Sequence, residues 1–129
     1  MIDPKRILVL APHTDDAELG CGGSLARWLE EGVELSVAVF STAEKSLPEG
    51  ARPGQLKQEC EQALDSLGVP AERRFIYDFP VRELGYHRQE VLEILVRLGR
   101  ELAPELSQVI LGVDVRDRVA DVSALRWRQ

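Results

Sequence analysis

The stretch ILVLAPHTDDAELGCGGSLARW, residues Ile7–Trp28, decides how the chain is read. Ile7 to Ala11 is an unbroken apolar run between the basic pair Lys5–Arg6 and Pro12, which is the pattern of a strand buried on both faces. The run passes directly into His13, Asp15 and Asp16, and then into Gly20, Gly22 and Gly23. Leu19, Leu25, Ala26, Trp28 and Leu29 recur at helical spacing up to Gly32, a natural left-handed helix end. A helix is therefore expected after the polar loop.

The pattern repeats outward from this unit. Val33–Ser41 is rich in β-branched residues and predicts a second strand, followed by a long exposed loop from Thr42 to Gly54. Leu56, Cys60, Ala63, Leu64 and Leu67 share one face of a helix that closes at Gly68. Arg74–Phe79 predicts a short third strand. The segment from Arg88 places Val91, Leu92, Leu95, Leu98 and Leu102 at helical spacing and ends at Pro104. Ser107–Val113 predicts a fourth strand, and the charged, weakly amphipathic remainder begins at Asp114.

Strands alternating with helices define an α/β fold, a Rossmann-like three-layer sandwich with a mainly parallel sheet and helices on both faces. Its 129 residues fit one domain, residues 1–129. In such sheets ligands bind at the carboxyl ends of the strands, and the loop carrying His13, Asp15 and Asp16 leaves such an end.

Composition narrows the partners. A net charge of -6 and a pI near 5.0 give no general attraction for nucleic acid or anionic membranes. The N-terminal apolar run is too short for a spanning helix and lacks the form of a signal peptide, so a cytoplasmic location is expected. Cys21 and Cys60 are too few and too far apart for a disulfide framework or a cysteine zinc cluster, and read as small apolar fillers.

The chemistry of the loop lies in His13-Thr14-Asp15-Asp16. Imidazole and carboxylate suit zinc, and His13 and Asp16, three positions apart in a tight loop entering a helix, can face one ion. Asp15 would flank it as a general base for water. The glycines would let backbone approach the site or pack closely against the sheet. The same residues also suit a simpler role, with Asp15 or Asp16 capping the helix and complementing its dipole.

APHTDDAELGCGGSLARW resembles the opening motif of the LmbE-like (PIG-L) family of zinc-dependent N-deacetylases: a strand, a histidine, a variable residue, two aspartates and a glycine-rich stretch. Glu59, Ala63, Leu67 and Gly68 resemble the family's second helix, and residues 88–111 its next helix and strand. The resemblance implies that His13 and Asp16 hold zinc, that Asp15 is the general base, and that the substrate is an N-acetylated amino sugar or related amide. It implies an N-acetylglucosamine unit linked to an inositol, a lipid-linked inositol, malate or another sugar.

The chain departs from that pattern after the fourth strand, where the family supplies its third zinc ligand from a histidine motif. Here the region reads LGVDVRDRVADVSALRWRQ and has no histidine; Arg116 and Arg118 stand near the expected positions and cannot ligate a cation. Asp114 is the possible substitute ligand, with Asp117 a solvated neighbour. His87 precedes the third long helix and reads as exposed. Leu56 stands where the family often has arginine, beside Lys57, and Arg82 and Arg88 read as solvated. Trp28 reads as core, and Trp127 as either exposed or packed on the sheet. The family domain is usually longer, so a truncated or diverged deacetylase is the leading expectation. The alternative is a catalytically inactive binding module that self-associates as a homo-oligomer. A nucleotide-binding Rossmann domain is weaker, because phosphates would meet two carboxylates.

Overall fold

The computed structural model describes residues 4–109. Its four strands form one parallel sheet in the order β3-β2-β1-β4: β1 is Arg6–His13, β2 Glu34–Ser41, β3 Arg74–Ile76 and β4 Leu106–Val109. Helices α1 (Asp16–Glu30), α2 (Gln55–Leu67) and α3 (Arg88–Leu102) supply the connections. The expected α/β sandwich is therefore present. β1 sits at its centre, and the strand order reverses beside it, since the chain moves outward to β2 and β3 and then returns to β4 on β1's other side.

The apolar run of β1 is continuous because both faces are covered. Ile7, Val9 and Ala11 pack with Leu25 of α1 and Cys60 and Leu64 of α2, while Leu8 and Leu10 pack with Leu95 and Leu98 of α3. β2 divides in the same way, with Val37 and Val39 on the first side and Ala38 and Phe40 on the second. Trp28 packs half-buried against the first core, as expected.

Four expectations need correction. Leu19 is 82% exposed rather than inward, because α1 breaks at Cys21 (φ -148°, ψ 25°) and its first turn presents Ala17 to the core instead. A Cβ at Gly22 or Gly23 meets nothing within 4 Å among the described residues, so these glycines flank a kink rather than a close contact. Leu92 lies outside the second core and lines a surface groove with Val96 on the outer side of α3. The loop after β2 is not uniformly exposed: Thr42 is buried, and Glu44–Ser46 forms a 3₁₀ turn.

β3 also stops earlier than Phe79. The Tyr77 N–H donates to the Val39 carbonyl at 2.8 Å and the Phe79 N–H to the Phe40 carbonyl at 3.0 Å, so this segment advances two residues against one on β2 and the ladder breaks. The helix ends were better anticipated. Gly68 closes α2 at φ 88°, with its own N–H bonded to the Asp65 carbonyl and that of Val69 to the Leu64 carbonyl. Among the described residues no helix is long and apolar enough to cross a membrane.

Candidate active site

His13 is the last residue of β1 and pairs in register with Ser41 of β2; Thr14 is buried, Asp15 occupies the cap position of α1, and Asp16 opens the helix. Asp16 secures the turn between them. Its Oδ2 accepts the His13 backbone N–H at 2.8 Å and lies 3.4 Å from His13 Nδ1, with the two side chains 13% and 15% exposed. Asp15 is exposed and makes no side-chain capping bond, so the capping role fails for it. Its carboxylate is left for other work.

Glu18, inside the quoted motif but not singled out from the sequence, lies one turn on. Both of its carboxylate oxygens are buried, with no hydrogen-bond partner in any other described residue. Burial pushes its carboxyl above the ordinary value, offset in part by its own backbone N–H, and the charges of Asp15 and Asp16 push it the same way. Cys21 and Cys60 are free thiols, as expected, and burial followed by the Glu18 charge raises both.

The next strands extend this end of the sheet. Thr42, just past β2, donates its hydroxyl to Asp78 Oδ1 at 2.6 Å, and Lys45 pairs with Glu83 at 3.1 Å, joining the loops that follow β2 and β3. Two of the three described non-glycine residues with positive φ, Ala43 (54°) and Arg82 (67°), sit in these loops. Sequence reasoning missed the Thr42–Asp78 pair, since its partners are 36 positions apart.

Other candidates fall elsewhere. His87 is half-buried rather than exposed; its Nδ1 is 2.9 Å from Glu90 Oε1 and its ring centroid 5.5 Å from that of Phe79. Lys57, Arg82 and Arg88 are exposed, and Leu56 is half-buried. Asp114, Arg116, Asp117, Arg118 and Trp127 lie outside the described residues.

As a donor set, His13 and Asp16 fit two corners of a zinc site. Ligand atoms at bonds of about 2.0–2.1 Å in a tetrahedron are about 3.3–3.4 Å apart, and Nδ1 and Oδ2 stand at 3.4 Å. Two corners are fewer than the three that a catalytic site takes from protein, and no group of three His, Cys, Asp or Glu suited to a metal occurs among the described residues.

The fold and this loop define a parallel α/β protein with a histidine–carboxylate site at the reversal of strand order. The family model of PIG-L, GlcNAc-PI de-N-acetylase, matches residues 8–121, and the chain belongs to that family. It is 26% identical over 104 residues to a diacetylchitobiose deacetylase from Thermococcus kodakarensis, covering 77% of this chain and 38% of that one. It is 28% identical over 124 residues to a 1D-myo-inositol 2-acetamido-2-deoxy-alpha-D-glucopyranoside deacetylase from Tsukamurella paurometabola, covering 96% and 32%. The chain thus spans only about a third of the length of these curated relatives. Among solved structures, it matches N,N'-diacetylchitobiose deacetylase from Pyrococcus horikoshii with TM-score 0.71 and 25% identity over 81% of this chain and 40% of that chain. A conserved protein from Thermus thermophilus matches with TM-score 0.71 and 32% identity over 91% and 50%.

Proposed function

We propose that this chain is a metal-dependent deacetylase that hydrolyses the acetamide of an N-acetylated amino sugar in the cytoplasm. The observation that carries the reading is the uncapped, exposed Asp15 carboxylate beside the His13–Asp16 pair. His13 and Asp16 would hold zinc, and Asp114, shortly past β4, is our candidate for the third ligand. When bound, zinc supplies positive charge that polarises the amide carbonyl and makes water a stronger acid.

The chain's own residues then have separate tasks. Asp16, pinned by the His13 N–H, keeps the loop in one shape before substrate arrives. Asp15 takes a proton from the attacking water and returns it to the departing nitrogen, and the product's acid proton also passes to the amine, so that acetate and an ammonium leave. The names of the relatives support an N-acetylated sugar as the substrate class.

Zinc content and acetate release from N-acetylglucosamine, measured on wild type, His13→Ala and Asp15→Asn, test this reading. Wild type should carry zinc and His13→Ala should lose it. Asp15→Asn should keep zinc while its rate falls by about 10²–10⁴-fold. Full zinc in His13→Ala, or full activity in Asp15→Asn, overturns the assignment.

A further inference from the structure

Glu18, in the first turn of α1, is a carboxylate to which the proposed deacetylation gives no task. Both of its oxygens are buried, and neither has a hydrogen-bond partner among the described residues. Withdrawing a carboxylate from water without a partner is costly, and the charges of Asp15 and Asp16 add to that cost.

The groups that feel its charge show where it lies. Glu18 raises the thiols of Cys21, one turn further along α1, and of Cys60 on α2, so the carboxylate stands between these helices on the side of the first core. Arg74, whose charge also reaches Cys60, is engaged with Asp65 and with the Val69 and Glu61 carbonyls. No lysine or arginine among the described residues forms an ion pair with Glu18. The place left for positive charge is the His13–Asp16 pair, whose Nδ1 and Oδ2 are spaced to hold one ion.

Glu18 is not placed to bond such an ion itself. Residues two positions apart on a helix are about 200° apart around its axis, so Asp16 and Glu18 leave α1 on opposite sides. What remains is charge acting through space. Between groups withdrawn from water that attraction escapes most of the screening that weakens it at a surface.

We infer that the buried Glu18 carboxylate sets the metal affinity of the His13–Asp16 site by its charge, without being a ligand. This rests on the metal-dependent deacetylase reading. Glu18 is a positioning residue, which acts on the ion and does not touch the substrate. Without a cation it only repels Asp15 and Asp16, and its cost to the fold is recovered when the pair is filled.

The test is a zinc titration of the metal-free full chain against a competing chelator at pH 8, on wild type, Glu18→Gln and Glu18→Ala, with urea unfolding of the same samples. Both variants should bind zinc about 10–100-fold more weakly. At equal excess zinc, each tenfold loss should remove about 1.4 kcal/mol of the stabilisation that zinc gives. In chelator, Glu18→Gln should unfold at higher urea than wild type, so the two readouts move in opposite directions. A merely structural role would lower metal-free stability in Glu18→Gln, and that result overturns the inference. The visible spectrum of the cobalt-loaded protein should be the same in wild type and Glu18→Gln, and a changed spectrum would make Glu18 a ligand and overturn it too. Equal zinc affinity in wild type and Glu18→Gln sinks the inference alone, whereas a wild type that takes up no zinc sinks it together with the metal-dependent reading.

Discussion

Asp16 is expected to hold the loop and to donate to zinc, and two substitutions separate these tasks. A hydrogen bond to a charged acceptor contributes about 1.5–3 kcal/mol, and an acid in the first helical turn about 0.3–1 kcal/mol. Asp16 provides both, through the 2.8 Å bond from the His13 N–H and its place at the start of α1. Repulsion with the buried Glu18 works in the opposite direction. With chelator present, Asp16→Ala should therefore lose about 1.5–3 kcal/mol of unfolding free energy. Asp16→Asn, whose amide oxygen can still accept the His13 N–H, should lose about 1 kcal/mol or less. Zinc at one hundred times its dissociation constant should then stabilise wild type by about 2.7 kcal/mol and neither variant appreciably. Urea unfolding followed by circular dichroism, with and without zinc, reads all six values. If Asp16→Asn keeps the full zinc increment, Asp16 is no ligand. If Asp16→Ala matches wild type in chelator, the bond to His13 does not hold the loop.

Three further outcomes follow from buried groups. The folded-state carboxyl of Glu18 is raised above 4.5, so the native chain binds more protons than the unfolded one between 4.5 and the raised value. Metal-free stability should fall as pH rises through that window and stay lower at neutral pH; Glu18→Gln should be more stable at pH 7 and flatter in that window, and an unchanged slope in urea midpoints would count against this. Cys60 is pushed up to about 12 from 9.0, chiefly by burial and then by Glu18 and Glu61. Its thiolate at pH 8 should be about 10³-fold scarcer than for an ordinary thiol, so a disulfide reagent should label Cys21 first and Cys60 only on unfolding; equal rates would refute this. Arg74 donates Nε to the Val69 carbonyl at 3.0 Å and Nη1 to the Glu61 carbonyl at 3.3 Å, and pairs with Asp65. Lysine cannot span these acceptors, so Arg74→Lys should lower unfolding free energy by about 1–2 kcal/mol without changing zinc content, and an unmoved urea midpoint would show that the fork is dispensable.

The legible parts of the fold were those whose pattern is local. The run Ile7–Ala11 had to be covered on both faces, and Gly68 had to end a helix by adopting a conformation that costs other residues more. The break at Cys21 was hidden because Leu19 continues the apolar spacing of α1 across it, although Leu19 faces water. β3 was overextended for a related reason: Phe75, Tyr77 and Phe79 alternate as a strand does, and all three pack on the second core, yet the pairing with β2 slips after Ile76. Composition records which residues are buried, while the partner strand decides where the ladder ends.

The site divides along the same line. His13 and Asp16 are three positions apart, so one turn brings them together, and sequence spacing sufficed to pair them. Thr42 and Asp78 meet only because two parallel strands end side by side, an arrangement made by the whole α2 crossover. The electrostatics then tie the two halves together. Asp15, Asp16 and Glu18 fall within four residues, and among the described residues no lysine or arginine forms an ion pair with any of them. Burial chiefly raises the Glu18 carboxyl, and the charges of Asp15 and Asp16 add to the rise. A helix N-terminus relieves such repulsion only by the partial charge of its first turn, whereas a divalent ion held by His13 and Asp16 would reverse the local field. An acid-rich loop of this kind is stable in two ways, by taking up a proton at Glu18 or by taking up a cation. Only the second would bring to the loop the charge that the proposed amide hydrolysis uses.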